Sequence, residues 1–566
     1  MPSIPASLSQ RIEALVGIDP ELRPATKPQF GHYQSNVALR LAKAEGRPPR
    51  DVATDIVARL NIDDICEPIE IAGPGFLNLR IRRDVLAGAV NDQLASPTHG
   101  IEQAAQAKRV VIDYSSPNVA KQMHVGHLRT TIIGDCFTRV LGALGDTIIR
   151  QNHIGDWGRQ FGMLIEQILF EQLDLDTLDL PGAEQLYMRA QRHLEGDETF
   201  QAAARERVVL LQGGDEDTLA IWRRLIAIST AGFNETYARL GVLLTDDDLA
   251  GESSYNDALA GICDDLESRG IAVHDNGALV VFVPGFDAPA ILRNSAGGYG
   301  YDVTDIAALL RRVRDMHADR LVYVTDARQS HHFQVLFALC RMAGYLPETV
   351  SAEHIGYGMV LGADGTPFKT REGTAVHLDD LLEEAEQMAA PEIALAAIKY
   401  ADLSNQLQKD YVFDAKRMTA THGDTGPYLQ YAHARVCQIL RRAADASDAS
   451  TSGATCTDET TDTAKSSQTN SPYLVSTVAE PAEQTLALEL SKFGDVVAEV
   501  AQALTPHKLC AYLFALASSF SSFYEQCPVL KSEGEVLTSR LALCQATGDV
   551  LATGLGLLGI SAPERM

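Results

Sequence analysis

The chain has 566 residues, 46% of them hydrophobic and 22% charged, so it should fold as a soluble globular protein of about two to four domains. No apolar run reaches the length of a membrane span, and the start MPSIPASLSQRIEALVG has polar residues where a signal peptide needs an apolar core. The nine cysteines form no CxxC pair, which favours reduced thiols in the cytoplasm and argues against structural zinc.

The formal net charge of −27 argues against a protein that binds nucleic acid non-specifically, because such proteins are basic. Net charge describes the whole surface, however, and not the local field of one groove. An RNA ligand would therefore need local arginine and lysine patches, and its affinity should depend strongly on salt.

Residues 1–85 have the pattern of a small α+β module. An amphipathic helix is expected near residues 8–16, and apolar spacing predicts two further helices, the second introduced by Pro48 and Pro49. Apolar residues around Gly73 and Gly75 predict strands. These patterns by themselves indicate no particular function.

The stretch VVIDYSSPNVAKQMHVGHLRTTIIGD predicts a strand, a polar turn and a helix start, which is the βα unit of a nucleotide-binding sheet. Gly126 would let a ligand approach the backbone, and the helix start offers free N–H groups and a positive dipole end. His124 and His127 would face the same ligand, where imidazolium donors could stabilise charge on a transferring phosphate. For HxGH alone, two surface histidines at a helix start remain the simpler alternative.

The βα unit should open a catalytic sheet. Residues 147–150 predict a second strand, and the glycines of NHIGDWGRQFGML mark another strand-to-helix turn. Residues 170–285 are acidic and helical in pattern, so we expect an insertion between the two halves of the sheet. Residues 288–375 should rebuild the second half, beginning with the strand, glycine-rich turn and helix of AILRNSAGGYGYDVTDIAALLRR.

Tyr301 and Asp305 are spaced i, i+4 and therefore share one helical face. A buried carboxylate beside an aromatic ring suits a guanidinium group, which can pair with the first and stack on the second. The alternative is that Asp305 is an acid at a helix start, favoured by the dipole. His331 and His332, in VTDARQSHHFQ, are expected at the surface or in ordinary packing.

Residues 357–361 predict a strand and residues 363–366 a turn, followed by the sequence PFKTREG. The rest of the chain is mostly helical in pattern. Tyr428, Tyr431 and Arg435 lie on one side of the helix predicted for GPYLQYAHARVCQILRR. Residues 443–472 are rich in Ser, Thr, Ala and Asp and lack aromatics, which predicts a disordered insertion.

Several of these strings resemble one protein family. HVGH is similar to the HIGH signature of class I aminoacyl-tRNA synthetases, and SSPNVAKQMHVGHLRTTIIGD resembles the arginyl-tRNA synthetases nearly residue for residue. PFKTREG occupies the place of the family's KMSKS loop but departs from it, because neither lysine stands in its standard position. The resemblance implies that Lys121, just before HVGH, compensates for the lysines missing from this loop. The resemblance covers nearly the whole chain, apart from residues 443–472 and parts of 170–285.

The resemblance implies an α/β fold in three domains: a class I Rossmann-type catalytic domain at residues 105–380 with a helical insertion at about 170–285, an N-terminal α+β domain at residues 1–85 that touches tRNA, and a C-terminal all-α anticodon-binding bundle at residues 390–566. It implies that the chain activates L-arginine with ATP and passes it to the 3′-terminal adenosine of tRNA(Arg). Mg²⁺ would accompany ATP, and a monomer without membrane contact is expected.

The resemblance also implies roles for individual residues. Catalysis is assigned to His124, His127, Lys121, Lys369 and Arg371. Arginine binding is assigned to Asp113, Ser116, Asn118, His127, Tyr301, Asp305 and Gln329. ATP binding is assigned to His124, Gly126, His127, Met359 and Lys369. Contact with tRNA is assigned to Tyr428, Tyr431 and Arg435.

Two other classes of protein stay open at this point. One is a nucleotidyltransferase that uses HxGH on a small molecule without tRNA, and the helical C-terminal part together with the Tyr301–Asp305 pair weighs against it. The other is an inactive tRNA-binding paralogue, against which the intact HVGH and pocket residues weigh.

Overall fold

The computed structural model describes residues 3–25, 27–295, 297–368, 376–451 and 472–566. The first part of the chain packs helices against an antiparallel sheet with the strand order β1-β2-β4-β3. The predicted helices and strands of this module are confirmed, and Pro49 opens the third helix, where its missing N–H costs no hydrogen bond. The elements are α1 (Ile4–Val16), β1 (Arg23–Pro24), β2 (Tyr33–Ser35), α2 (Val37–Glu45), α3 (Pro49–Arg59), β3 (Glu70–Ala72), β4 (Phe76–Leu79) and α4 (Arg83–Ala95).

The central part is built on a parallel sheet with the strand order β11-β10-β5-β6. The chain leaves β5 towards β6 on one side and reaches β10 on the other, and ligands of open α/β sheets bind at such a reversal. The α/β prediction is therefore confirmed. The elements are β5 (Arg109–Asp113), α5 (Val125–Ala143), β6 (Thr147–Gln151), α6 (Arg159–Glu171), α7 (Leu180–Gly196), α8 (Glu198–Gln212), α9 (Glu216–Leu240), α10 (Asn256–Ser268), β7 (Val273–Asp275), β8 (Ala278–Val281), β9 (Ala290–Arg293), α11 (Tyr301–Arg314), β10 (Arg320–Asp326), α12 (Ser330–Met342), β11 (Ser351–Tyr357), β12 (Val360–Leu361) and α13 (Leu378–Glu386).

Strand β9 does not belong to the parallel sheet, contrary to the prediction. It joins β7 and β8 in a small antiparallel sheet. Because β7 and β8 lie within residues 170–285, the end of that otherwise helical segment forms strands. Ala290 and Leu292 are buried and Ile291 is exposed, an alternation typical of an antiparallel strand with one wet face. A strand inside the parallel sheet would be apolar on both faces.

The strand predicted for residues 357–361 is interrupted. Strand β11 ends at Tyr357 and β12 begins at Val360, because the carbonyl of Gly358 accepts a hydrogen bond of 2.8 Å from Arg129 of α5. A Cβ at Gly358 would lie 2.5 Å from Asp410 Oδ1, so only glycine fits where the chain passes this close to Asp410.

The last part of the chain is almost entirely helical. Its elements are α14 (Pro391–Leu403), β13 (Tyr411–Val412), α15 (Ala415–Met418), α16 (Gly426–Thr451), α17 (Pro481–Leu490), α18 (Phe493–Ala503), α19 (Pro506–Gln526) and α20 (Gly534–Leu557). Helix α16 continues to Thr451, so the predicted disorder from residue 443 starts too early. The rest of that prediction, residues 452–471, lies outside the described residues. In the described ranges no helix combines the length and apolarity that crossing a membrane requires.

A buried ion pair joins the central and C-terminal parts. Arg129 Nε of α5 lies 3.2 Å from Asp402 Oδ2 of α14, and the two side chains are 1% and 0% exposed. Arg129 Nη1 also donates to the carbonyls of Gly358 and Lys409, at 2.8 and 3.0 Å. One guanidinium therefore holds three segments that are distant in the sequence.

Removal of this carboxylate should destabilise the protein strongly. Asp402→Ala would leave the Arg129 charge buried without its partner, which should lower the free energy of unfolding by about 3–5 kcal/mol. The measurement is urea unfolding followed by circular dichroism. Asp64→Ala is the matched control, since it breaks a bidentate pair with Arg11 that is largely exposed. A loss below about 1 kcal/mol for Asp402→Ala would contradict this account, because exposed pairs contribute no more than that.

Candidate active site

The two histidines of HVGH cap the N-terminus of α5 with their own rings. His124 Nδ1 accepts the backbone N–H of Gly126 at 3.0 Å, and His127 Nδ1 accepts the backbone N–H of His124 at 3.1 Å. The ring centroids are 4.0 Å apart. Because each Nδ1 accepts a hydrogen bond, a neutral ring carries its proton on Nε2.

The predicted imidazolium donors are therefore replaced by neutral imidazoles with Nε2–H donors. Burial lowers the pKa of His127 to about 3. Burial also lowers the pKa of His124, and the neighbouring Lys121 and His377 act in the same direction. A neutral donor at a helix N-terminus can still stabilise developing negative charge.

Gly126 is required by the His124 ring itself. A Cβ at this position would lie 2.7 Å from His124 Cε1 and 2.9 Å from His124 Nδ1, closer than side-chain contacts allow. The close approach of a ligand, predicted from the sequence, remains a prediction. The structure thus shows a local reason for glycine that the sequence did not reveal.

The segment after PFKTREG returns to the histidines. Val125 N–H donates to the Val376 carbonyl at 3.0 Å, and Leu378 N–H donates to the Met123 carbonyl at 2.9 Å. Lys369 and Arg371 lie outside the described residues. The described chain resumes at Val376, which is hydrogen-bonded next to His124.

Lys121 rests on an aromatic ring of the helical insertion. Its Nζ lies 4.0 Å from the centroid of the Tyr187 ring in α7. The next residue, Gln122, donates to Glu184 of the same helix at 2.8 Å. The insertion therefore holds the segment that leads into HVGH.

At the end of β5, Asp113 is neutralised by an arginine that the sequence analysis overlooked. Arg312 Nη2 of α11 lies 2.6 Å from Asp113 Oδ2, and both side chains are buried. Ser116 Oγ donates to the other oxygen of Asp113 at 3.3 Å. The turn is tight, since Ser115 and Ser116 both have positive φ. No local pattern marks Arg312, because its partner lies 199 residues away.

The remaining predicted arginine ligands surround the same edge of the sheet. Asn118 is exposed and pairs with Gly155 in an isolated bridge. Gln329 is exposed where β10 leads into α12. Tyr301 begins α11 with its side chain 70% exposed. These positions are compatible with a ligand that arrives from solvent.

Asp305 differs from the prediction in two ways. Its side chain is 29% exposed rather than buried, and its Oδ2 lies 2.7 Å from His332 Nε2. His332 Nδ1 lies 3.5 Å from Asp302 Oδ1, so the ring lies between two carboxylates. His332 packs against Tyr301 and Phe333, as a packing histidine would, and in addition it contacts these two carboxylates.

Met359 lies in the link between β11 and β12, and the predicted tRNA residues lie on α16. Met359 is partly exposed, and its N–H donates to Asp410 Oδ1 at 2.6 Å. On α16, Arg435 lies 4.2 Å from the Tyr524 ring centroid and Tyr428 packs on Phe514, both of α19. Tyr431 is 48% exposed and is the most accessible of the three.

The described residues were also searched for metal ligands and disulfides. They contain no group of three or more His, Cys, Asp or Glu side chains that could hold a metal ion. The eight cysteines within these ranges are free thiols, and all but Cys437 are buried.

Three family models match the chain in succession. The "Arginyl tRNA synthetase N terminal domain" matches residues 3–81, "tRNA synthetases class I (R), catalytic domain" matches residues 89–394, and "DALR anticodon binding domain" matches residues 429–566. The middle model alone spans more than half of the chain.

Individual relatives agree along the full length. The arginine–tRNA ligase of Cutibacterium acnes is 64% identical over 566 residues and 100% of both chains, and that of Frankia casuarinae is 45% identical over 100% of this chain and 97% of the other. Among solved structures, arginyl-tRNA synthetase from Plasmodium falciparum superposes with a TM-score of 0.80 at 27% identity over 100% of both chains. The Thermus thermophilus enzyme gives 0.78 at 27% identity over 99% of both chains. This chain belongs to the arginyl-tRNA synthetases, the arginine–tRNA ligases of class I.

Proposed function

We propose that the edge of the sheet formed by β5 and β10 activates L-arginine with ATP and then transfers the arginyl group to the 3′-terminal adenosine of tRNA(Arg). One observation carries the assignment of the site. At the chain reversal of a parallel sheet, the N-terminus of α5 carries two Nε2–H donors, and the neighbouring helix α11 carries Asp302 and Asp305 on either side of His332. The first feature suits phosphates, and the second suits a guanidinium group.

The first step needs positioning more than covalent help from the protein. The arginine carboxylate attacks the α-phosphorus of ATP, an O–P bond forms, and the bond to the β-phosphate oxygen breaks to release pyrophosphate. The carboxylate is already anionic, so no general base is required. In the second step a ribose hydroxyl of tRNA attacks the carbonyl, and AMP leaves.

The phosphates are assigned to the start of α5. His124 and His127 supply neutral Nε2–H donors, and Gly126 leaves the backbone near them exposed. Lys121 contributes a nearby positive charge, as its effect on the pKa of His124 indicates. Lys369 and Arg371 are proposed to reach the phosphates from the segment before Val376.

Mg²⁺ is proposed to enter with ATP as part of the substrate. The described residues offer no cluster of three acidic or histidine ligands, which suits an ion held mainly by phosphate oxygens and water. Met359, exposed after β11, is proposed to contact ATP as well.

The amino acid is assigned to both middle strands and to α11. Asp305 and Tyr301 are proposed to receive the guanidinium, with Gln329 beside them. The arginine ammonium and carboxylate groups are assigned to Asn118, Ser116, His127 and Asp113. The Arg312 pair leaves Asp113 neutralised, so we assign it the role of holding Ser116 through their hydrogen bond.

The tRNA is proposed to lie along α16, where Tyr431 offers a stacking surface and Arg435 a positive charge. The protein is proposed to act as a monomer, as the resemblance of its sequence to the family implies. A cytoplasmic location is proposed on the free thiols of the described cysteines. ATP–pyrophosphate exchange that depends on arginine, measured with and without tRNA, tests the activity.

The His127 ring should act mainly on the transition state. His127→Ala should lower the single-turnover rate of adenylate formation by about 10²- to 10³-fold, because one donor to the developing charge is lost. The dissociation constant of ATP should change much less. His331→Ala, at an exposed histidine of α12, is the control. Equal single-turnover rates in His127→Ala and the wild type would exclude this role.

The Asp305 carboxylate should determine the preference for arginine. Asp305→Asn would present an amide with one acceptor and two donors to a cation, so kcat/KM for arginine should fall by about 10²- to 10⁴-fold. Discrimination against citrulline should narrow, since the amide no longer disfavours a neutral ligand. Steady-state aminoacylation with citrulline as competitor measures both effects.

Asp315→Asn, an exposed carboxylate at the other end of α11, is the matched control for Asp305→Asn and should behave like the wild type. The KM for ATP should stay within about threefold in both variants, because the phosphate contacts are on α5. If Asp305→Asn keeps kcat/KM for arginine within about fivefold of the control, the assignment of the guanidinium site is wrong.

A further inference from the structure

His332 of α12 points both of its ring nitrogens at carboxylates of α11. Nε2 lies 2.7 Å from Asp305 Oδ2, and Nδ1 lies 3.5 Å from Asp302 Oδ1. A neutral imidazole has only one N–H, so one of these contacts would place a lone pair against a carboxylate oxygen. The geometry therefore fits a ring that is protonated on both nitrogens.

Asp302, His332 and Asp305 form an array in which the backbone holds the first carboxylate. Asp302 Oδ2 accepts the N–H of Ile291 in β9 at 2.7 Å, and the Asp302 side chain is only 13% exposed. The His332 ring is flanked edge-on by Tyr301 and Phe333, with centroids 5.2 and 5.3 Å away. Strand β9 thus holds Asp302, Asp302 contacts the His332 ring, and the ring contacts Asp305. Of these three side chains, Asp305 is the most exposed.

We propose that His332 is a positioning residue of the arginine pocket, which holds Asp305 through a bridge to Asp302 so that one Asp305 oxygen is presented to the guanidinium. This inference rests on the proposed assignment of Asp305 to arginine. It adds a residue of α12 that receives no role from sequence resemblance, and it gives β9 a function in the pocket.

The array has a charge suited to a single guanidinium. Two carboxylates and one imidazolium leave one net negative charge, which one guanidinium neutralises. The hydrogen bond from Nε2 uses Asp305 Oδ2, so Oδ1 can receive the ligand. An orienting residue of this kind limits the rotation of the carboxylate before the ligand arrives, which lowers the entropic cost of binding.

The surroundings keep His332 charged through neutral pH. Burial lowers the pKa of His332, but hydrogen bonds and charges from Asp302 and Asp305 outweigh burial and raise the pKa to about 9. His354 of β11 faces the array, and its pKa is lowered by burial, with the His332 charge acting in the same direction. The Tyr301 hydroxyl has a raised pKa beside the same two carboxylates.

One neighbouring acid titrates at a different pH. Burial raises the pKa of Glu252 to about 7, with the charges of Asp156 and Asp305 contributing. An effect of Glu252 should therefore appear near pH 7. The bridge through His332 should be present below pH 9 and lost as the pH rises through about 9, because the raised pKa belongs to the protonated ring.

Steady-state aminoacylation of three variants tests the inference. His332→Ala should raise the KM for arginine by about 10- to 100-fold with a much smaller change in kcat, because a charge-assisted hydrogen bond that positions Asp305 is lost. His332→Gln keeps one donor without the charge or the bridge and should lie between His332→Ala and the wild type. His331→Gln, at the exposed neighbouring histidine, is the matched control.

The pH profile separates positioning from mere packing. The ratio of kcat/KM for arginine between wild type and His332→Gln should fall towards one as the pH rises through about 9. Taking this ratio removes the titration of the arginine α-amino group, which is common to both proteins. The ratio between wild type and His331→Gln should stay flat over the same range.

The outcomes distinguish the inference from the proposed function. Loss of arginine use in Asp305→Asn, with His332→Ala and His332→Gln indistinguishable from His331→Gln, would overturn the role of His332 alone. Retention of arginine use in Asp305→Asn would overturn the pocket assignment itself. If His332→Ala does not fold, His332→Gln and the wild-type profile decide, and a pH-independent ratio overturns the proposal.

Discussion

The arrangement of the active site depends on one buried guanidinium. Arg129 follows His127 by two residues on α5 and contacts Asp402 of α14 and the carbonyls of Gly358 and Lys409. Burying such a charge is costly unless all of its surroundings are polar and well placed. The carboxylate and the two carbonyls meet that condition for Nε and Nη1, whereas Nη2 is buried without a hydrogen-bond partner among the described residues, and the rings of Tyr357 and Tyr411 have centroids 5.6 and 5.2 Å from the guanidinium carbon. The start of α5, the strand before the KMSKS-like loop and the helical part of the chain are therefore held in one relative position.

The helix start that receives ATP in our proposal is also a structural cap. Backbone N–H groups that a helix leaves unpaired are taken up by His124 and His127, which directs their Nε2–H groups away from the backbone. The same hydrogen bonds and the same burial keep the rings neutral. Capping and the proposed catalytic role thus require the same neutral rings, and Gly126 lets the His124 ring lie so close to the helix.

The carboxylates proposed to line the arginine pocket have partners within the chain itself. Asp113 is joined to Arg312, and Asp302 and Asp305 are joined through His332. In a chain with a net charge of −27, the proposed cation pocket therefore has limited negative charge, and Lys121 and His377 lie near His124 at the proposed phosphate site. Net charge averages over the whole surface and does not describe the local field at such a site.

The sequence by itself determined the elements that depend on neighbours in the chain. The apolar run before Asp113, the helix after HVGH and the strings of the family are local patterns, so the βα unit, the α/β class and the three parts of the chain could be predicted from them. Only the tertiary structure decided what those side chains meet. Arg129 and Asp402 are 273 residues apart, and His332 and Asp305 are on different helices. Strand β9 pairs with β8 and not with a strand of the parallel sheet. Periodicity specifies which face of an element is apolar, whereas protonation and pairing depend on burial and on partners that only the folded chain brings within hydrogen-bond distance.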